Sequence, residues 1–266
     1  MERTNQGLSA ELVALVDRLD AAQCERREVS AITDEHPGLT ASQAYEIQRR
    51  LIRRQEERGD PLVAMKAGLT SRAKQVAMGV AEPIYGYICE SMVLDEGEPL
   101  ATGELIHPRA EPEIAFLLKS DLQGPGLTAD DVLRATAAVA PAIEVIDSRY
   151  KDFRFTLPDV VADNASSARV VVGSWQPLDE DLDLRLVGMI FTKNGEVVET
   201  GAGAAVLGHP ANAVAWLANA LAERGEALRA GTFVMPGALS NAHPVAPGDQ
   251  VEVEIHRLGS LVLHCV

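Results

Sequence analysis

The chain has 266 residues, 47% of them hydrophobic, 24% charged and only 4% aromatic, with a formal net charge of −15. That composition builds an ordinary globular core from Ala, Val, Leu and Ile, and it excludes an intrinsically disordered chain. The acidic balance repels phosphate backbones and anionic lipid heads, and rings for base stacking are few, so neither nucleic acid nor a membrane is expected as a partner.

In chain order, the N-terminus MERTNQGLSAEL lacks an apolar signal core. No run of about 18 apolar residues follows anywhere, so a cytoplasmic protein is expected. Ser9 is placed to cap a first helix with Leu12, Val13, Leu15, Val16 and Leu19 at helical spacing. Asp34 to Gly38 read as a turn. Thr40 followed by Gln43 is a capping-box signal for a second helix, with Ala44, Ile47 and Leu51 inward and a stop near Gly59 and Pro61. Residues 1–61 are therefore expected to form a helical region and 62–266 a β-rich catalytic domain.

Beyond Pro61, short apolar runs alternate with Gly/Pro/Asp turns. Strands are expected over Leu62–Lys66, Pro112–Lys119, Ala142–Asp147, Ala168–Trp175, Leu184–Lys193, Gly231–Met235, Gln250–His256 and Ser260–Cys265. Helices are expected over about Thr128–Ala138 and Asn212–Arg224. Strands and helices do not alternate, which argues for an α+β fold and against a doubly wound sheet. The Gly-rich stretch 201–208 fits no phosphate-loop spacing. Cys24, Cys89 and Cys265 form no Cys-x-x-Cys pair and suggest neither a zinc knuckle nor a disulfide framework.

The chemistry is expected at three glutamates. In Glu111-Pro112-Glu113, strand alternation turns both carboxylates to one side. Two such neighbours repel unless a cation lies between them, although the spacing also suits a solvated strand face. Glu144 sits among apolar neighbours in Pro141–Asp147, where an ionised carboxylate needs a partner or a metal if it faces inward, although the exposed face of a half-buried strand would also suit it. An all-oxygen set favours Mg2+ or Mn2+ over zinc. Lys66 closes an apolar strand ahead of Gly68, Thr70 and Ser71, which suits an anion-facing turn, although taken alone the pattern better suits a surface lysine.

These segments carry a resemblance. LVAMKAGLTSRAKQ, EPIYGYI, HPRAEPEIAFLL, PAIEVIDSRYKDF, DVVADNASSARVVVG, HPANAVAWLANAL and VAPGDQVEVEIHRLGS, in this order, are similar to the fumarylacetoacetate hydrolase superfamily in its branch of 2-oxo-acid hydratases and decarboxylases. The resemblance spans about Ala41 to the end of the chain. It implies a mixed β-roll or sandwich core behind a small N-terminal helical region. It implies Mg2+ or Mn2+ on Glu111, Glu113 and Glu144, and a catalytic Lys66. Thr70, Ser71, Asp163, Ser166 and Arg149 fall in family motifs and are candidates for substrate contact, Arg149 for a distal carboxylate.

The implied substrate is a small 2-oxo dicarboxylic acid. Hydratases commonly carry an acid where this chain has Ile84 in Pro83-Ile84-Tyr85-Gly86, and an apolar side chain can neither give nor take a proton. The resemblance therefore leans to metal-dependent decarboxylation of 2-oxo-3-hexenedioate in meta-cleavage catabolism of aromatic compounds. Hydration of 2-hydroxypentadienoate or of a seven-carbon relative is the alternative, and an inactive scaffold for a hydratase is a second. A homo-oligomer is implied, with room for a complex with the pathway hydratase. One segment departs from the family: Pro236 stands where a Ser or Thr is common.

Overall fold

The computed structural model describes residues 10–179 and 181–266. The expected cap Ser9 lies outside them. The helical start comprises α1 (Ala10–Glu25), α2 (Ile32–Glu35) and α3 (Ala41–Glu57). Thr40 caps α3 as expected, with its side chain and that of Gln43 exchanging hydrogen bonds with each other's backbone. The expected turn at Asp34 begins inside α2, because Ile32 is anchored in the core and draws the chain into one helical turn first. Asp20 ties α1 to α3 through Arg54 and Arg58.

Then come β1 (Leu62–Gly68), α4 (Arg72–Met78), β2 (Ile84–Cys89), β3 (Val93–Leu94), β4 (Arg109–Leu118), α5 (Ala129–Ala135), β5 (Thr136–Ile146), α6 (Leu157–Ala162), β6 (Ser167–Val172) and β7 (Gln176–Pro177). The rest of the chain supplies β8 (Gly188–Lys193), β9 (Glu196–Ala202), α7 (Pro210–Ala222), β10 (Phe233–Met235), β11 (His243–Pro244), β12 (Gln250–Ile255) and β13 (Gly259–His264).

One mixed sheet runs β2-β1-β10-β4-β5-β6-β3, with β11 added to β4 and β7 to β5. β1 and β10 pair in parallel, β3 and β6 likewise, and the other ladders are antiparallel. β2, at one edge, comes back against β6 near the other, so the sheet curls into a half-barrel. A second, antiparallel sheet β13-β12-β8-β9 packs across β5. The main core lies between these layers and α7. A second apolar cluster joins α1, α2 and α3 to α6, Tyr150 and Ala165. No helix is long and apolar enough to cross a membrane among the described residues.

Several element boundaries differ from expectation, and two of the shifts have a cause in the contacts. The helix opened by Thr128 stops at Ala135, and Thr136 already pairs with Leu118. Ladder pairing along β4 overrides the helical leaning of the alanines that follow. Leu184–Val187 is not strand, and β8 starts at Gly188. Asp179 and Asp183 accept hydrogen bonds from the backbone of Asp181 and Arg185 and fold that stretch into turns.

Candidate metal centre

The site grows from strand register. Glu111 on β4 lies directly opposite Glu144 on β5, and Glu113 lies two residues along on the same face. Each glutamate offers one carboxylate oxygen within 4.8 Å of the others'. Lys66, on β1, reaches the same point, its Nζ 3.1 Å from Oε2 of Glu144. The Lys66 ammonium also donates to the Ala165 carbonyl at 3.3 Å. The structure therefore brings together all four residues on which the expected chemistry rests.

The remaining partners fix these side chains. Ser167 donates to Oε1 of Glu144 at 3.0 Å, and the Gly237 N–H donates to Oε2 of Glu113 at 2.8 Å. Lys74, on α4, donates to Oε1 of Glu111 at 2.9 Å. Oε1 of Glu113 is buried and makes no hydrogen bond among the described residues, while Oε2 of Glu144 has the Lys66 ammonium as its neighbour. Burial pushes the Glu113 carboxyl well above the usual carboxylate range, and the Glu144 charge pushes the same way against the pull of Lys66. Burial raises Glu144 too, again against Lys66. Burial alone would pull the Lys66 ammonium down, yet Glu144 with Glu111 and Glu113 outweighs it and holds the proton on. Three carboxylates repelling one another across a few ångströms, with two of them fully buried and one oxygen of Glu113 without a donor, make the donor set of a hard divalent cation. Mg2+ or Mn2+ fits this set, and the described cluster has no sulfur or imidazole to favour zinc.

Gly237 has φ +114°, and a Cβ there would lie 1.9 Å from Oγ1 of Thr70. A glycine is required for the backbone to deliver its N–H to Glu113 while the buried Thr70 hydroxyl lies against it. Thr70 thus borders the centre. Ser71 acts on the helix instead, its hydroxyl capping α4 by accepting from the Lys74 N–H at 3.1 Å.

Behind Lys66 the chain does something uncommon. Asn164, Ala165 and Ser166 all have positive φ, at 52°, 52° and 57°. Three successive left-handed residues without glycine store strain that the surroundings must hold. Asn164 clamps the turn by exchanging two 2.9 Å hydrogen bonds with the Tyr87 backbone. Asp163 is gripped by the Arg149 side chain and, at 3.1 Å, by the Arg149 N–H. Burial pushes the Asp163 carboxyl up to about 6, with Arg149 pulling it down. The Arg149 guanidinium, expected to meet a substrate carboxylate, is occupied here by Asp163, and both residues brace the turn. Ser166 keeps a buried hydroxyl without a partner among the described residues.

Sequence reasoning missed Lys74, Ser167, Gly237 and the Ala165 carbonyl. For Lys74 the signal was present, since Ser71 and Gly79 bracket a short helix as N-cap and left-handed C-cap. Ser167 and the backbone groups gave none. Ile84 is buried on β2, and a Cβ added to Gly68 would meet Cγ1 of Ile84 at 3.2 Å and Nζ of Lys66 at 3.4 Å. The wall beside Lys66 is thus apolar.

The model of the fumarylacetoacetate (FAA) hydrolase C-terminal family matches residues 62–266. A 4-oxalocrotonate decarboxylase of Pseudomonas sp. (strain CF600) is 48% identical over 94% of this chain and 95% of its own length. A 2-hydroxyhexa-2,4-dienoate hydratase of Comamonas testosteroni is 42% identical over 91% of this chain and 93% of its own. Among solved structures, the 4-oxalocrotonate decarboxylase from Pseudomonas putida G7, complexed with magnesium and adipate, superposes with a TM-score of 0.94. That match covers 98% of this chain and all of the other, at 45% identity.

Proposed function

The chain belongs to the fumarylacetoacetate hydrolase family, and from that premise we propose that it is a divalent-metal-dependent lyase that decarboxylates 2-oxo-3-hexenedioate to 2-hydroxypenta-2,4-dienoate and CO2. The observation that carries this reading is the convergence of Glu111, Glu113 and Glu144 within 4.8 Å, with Lys66 against them. A divalent cation held by these glutamates would supply Lewis acidity toward the 2-oxo oxygen and the carboxylate beside it.

The protein's own groups do the rest. Lys66 keeps its proton although buried, so its positive charge acts at low dielectric on the oxygen where negative charge develops. The C5–C6 bond breaks and its electron pair moves through C4 and C3 onto the C2 oxygen as CO2 leaves. Protonation of that oxygen gives the 2-hydroxydiene acid. Ser167 and the Gly237 N–H hold two carboxylates in place, so little reorganisation is needed as charge shifts.

A second reading, hydration of a 2-hydroxydienoate, is favoured by the Comamonas relative. It uses the same electron sink but must also protonate C5 and add water at C4. The apolar wall formed by Ile84 supplies no acid or base for that. The product proposed here has the structure of a hydratase substrate, which supports the expected association with a hydratase.

The test is incubation of the purified protein with 2-oxo-3-hexenedioate and Mg2+. Release of CO2 with a dienol product supports decarboxylation. Hydration of 2-hydroxypenta-2,4-dienoate without CO2 release from the diacid would replace that reading.

A further inference from the structure

We propose that Lys74 binds the distal carboxylate of the substrate and so selects dicarboxylic over monocarboxylic 2-oxo acids. The inference rests on the function proposed above.

Exposure marks the mouth of the site. The Glu144 side chain is 0% exposed and that of Glu111 11%, whereas the Lys74 side chain is 31% exposed. The centre therefore opens on the side of α4. A 2-oxo acid that turns its C1 and C2 oxygens to the carboxylate cluster has to send the rest of its chain that way.

The cations nearby differ in how firmly they are held. Lys66 is fixed by Glu144 and the Ala165 carbonyl, and Arg149 by Asp163. Lys74 is paired with Glu111, one of the three carboxylates a metal would take. A divalent cation on Glu111 repels an ammonium on the same carboxylate. Loading the centre thus takes Glu111, the ion-pair partner, away from Lys74 and leaves its positive charge on a flexible stem at the mouth. The helix that carries it stays anchored. Ser71 caps its start, Gln75 donates to the Leu69 carbonyl at 3.0 Å, and Gly79 closes its end.

The charge of the whole chain supplies the need. At −15, the protein's field repels a dianion, so a local cation at the entrance is required to draw one in. Glu199, the other carboxylate that feels the Lys74 charge, is already held by Asn241 and His243, so with the first carboxylate turned to the metal the distal carboxylate is the anion Lys74 can pair with.

The chemistry also fixes which kinetic constant responds. The distal carboxylate loses its charge as CO2 forms, so an ammonium beside it favours bound substrate at least as much as the transition state. Lys74→Met should raise KM for the diacid about 10- to 100-fold, the range for a lost charge-assisted hydrogen bond, with kcat unchanged or higher.

A binding measurement tests this without turnover. Calorimetry on the Mg2+-loaded full chain compares 2-oxohexanedioate with 2-oxopentanoate, which lacks only the distal carboxylate. Lys74→Met should weaken the diacid about 10- to 100-fold and the monoacid less than about 2-fold, while Lys74→Arg keeps most of the preference. Equal losses for both ligands, or no loss for either, overturn the assignment of Lys74. If the wild-type protein loaded with Mg2+ binds neither acid, the proposed function falls and this inference falls with it.

Discussion

Glu113→Gln separates a metal ligand from a structural glutamate. In the metal-free protein this carboxyl is fully buried, with carboxylate oxygens of Glu111 and Glu144 within 4.8 Å. At an effective dielectric near 20, each like charge at that distance costs on the order of 3 kcal/mol, and Lys66 offsets about one of the two. Because the carboxyl is already pushed well above its ordinary range, partial protonation caps the repulsion. The amide oxygen of the substituted side chain can still accept the Gly237 N–H. Without metal the variant should therefore be more stable than wild type by about 1–2 kcal/mol, or roughly 2–8 °C in Tm for a chain of this size. The sign follows from linkage. A carboxyl with a raised folded-state pKa contributes stability that is full below about 4.3 and lost as pH rises through the folded value, so the variant's advantage grows over that rise. With Mg2+ the order reverses. At 100 times Kd, binding adds about 2.7 kcal/mol to wild type, or roughly 5–10 °C, and a site missing a ligand gains little of this at the same concentration. Differential scanning fluorimetry with and without Mg2+, from pH 4 to 8, reads both arms. A variant that melts below wild type without metal, yet keeps the full Mg2+ shift, would refute the reasoning.

Other outcomes follow from neighbouring contacts. Lys66→Ala should lower kcat about 100- to 1,000-fold, as loss of a preorganised oxyanion stabiliser does, and change the Mg2+ Kd far less; steady-state kinetics and calorimetry check the two together. Gly237→Ala must displace Thr70 and misdirect the N–H that serves Glu113, so Mg2+ affinity should fall, measured by titration on protein with native circular dichroism. Arg149→Met leaves Asp163 buried without its cation and the strained turn without its brace, which should cost about 3 kcal/mol or more in urea unfolding. Asp20 is held below the usual carboxylate range chiefly by its hydrogen bond from Arg58, against burial. Its contribution is present above about pH 3.9 and lost as pH falls through the lower folded value, so acid unfolding of Asp20→Asn should lack that part of the pH dependence.

What could be read from sequence was what period and composition encode. The E-x-E spacing and the apolar setting of Glu144 contain the face each side chain takes, so the carboxylate cluster was legible once a register was supposed. The Thr40 capping box was equally local. The limits lay where long-range contacts decide. Thr136 looks like the tail of a helix, and its pairing with Leu118 in the antiparallel β4–β5 ladder makes it the first residue of a strand. Lys74 lies just beyond the turn expected at Gly68–Ser71, in a stretch for which no element was expected, and its meeting with Glu111 depends on where α4 folds over the sheet.

The turn at Asp163–Ser166 was the least accessible of all, because no residue in it advertises a positive φ by being glycine. Its glycine is elsewhere. A Cβ on Gly86 would lie 2.7 Å from the Asn164 carbonyl oxygen, so the small residue belongs to the strand the turn presses against. The Pro-Ile-Tyr-Gly segment thereby acts twice, Ile84 lining the wall beside Lys66 and Gly86 making room for the turn whose Ala165 carbonyl holds the Lys66 ammonium. Strain in that turn is thus tied to the position of one charge. A relaxed helix or strand there would aim the carbonyl elsewhere and leave Lys66 to Glu144 alone. Closed on Glu144, the ammonium would act as a structural counterion; drawn also toward Ala165, it is held at the edge of the carboxylate cluster, where an oxyanion can share it.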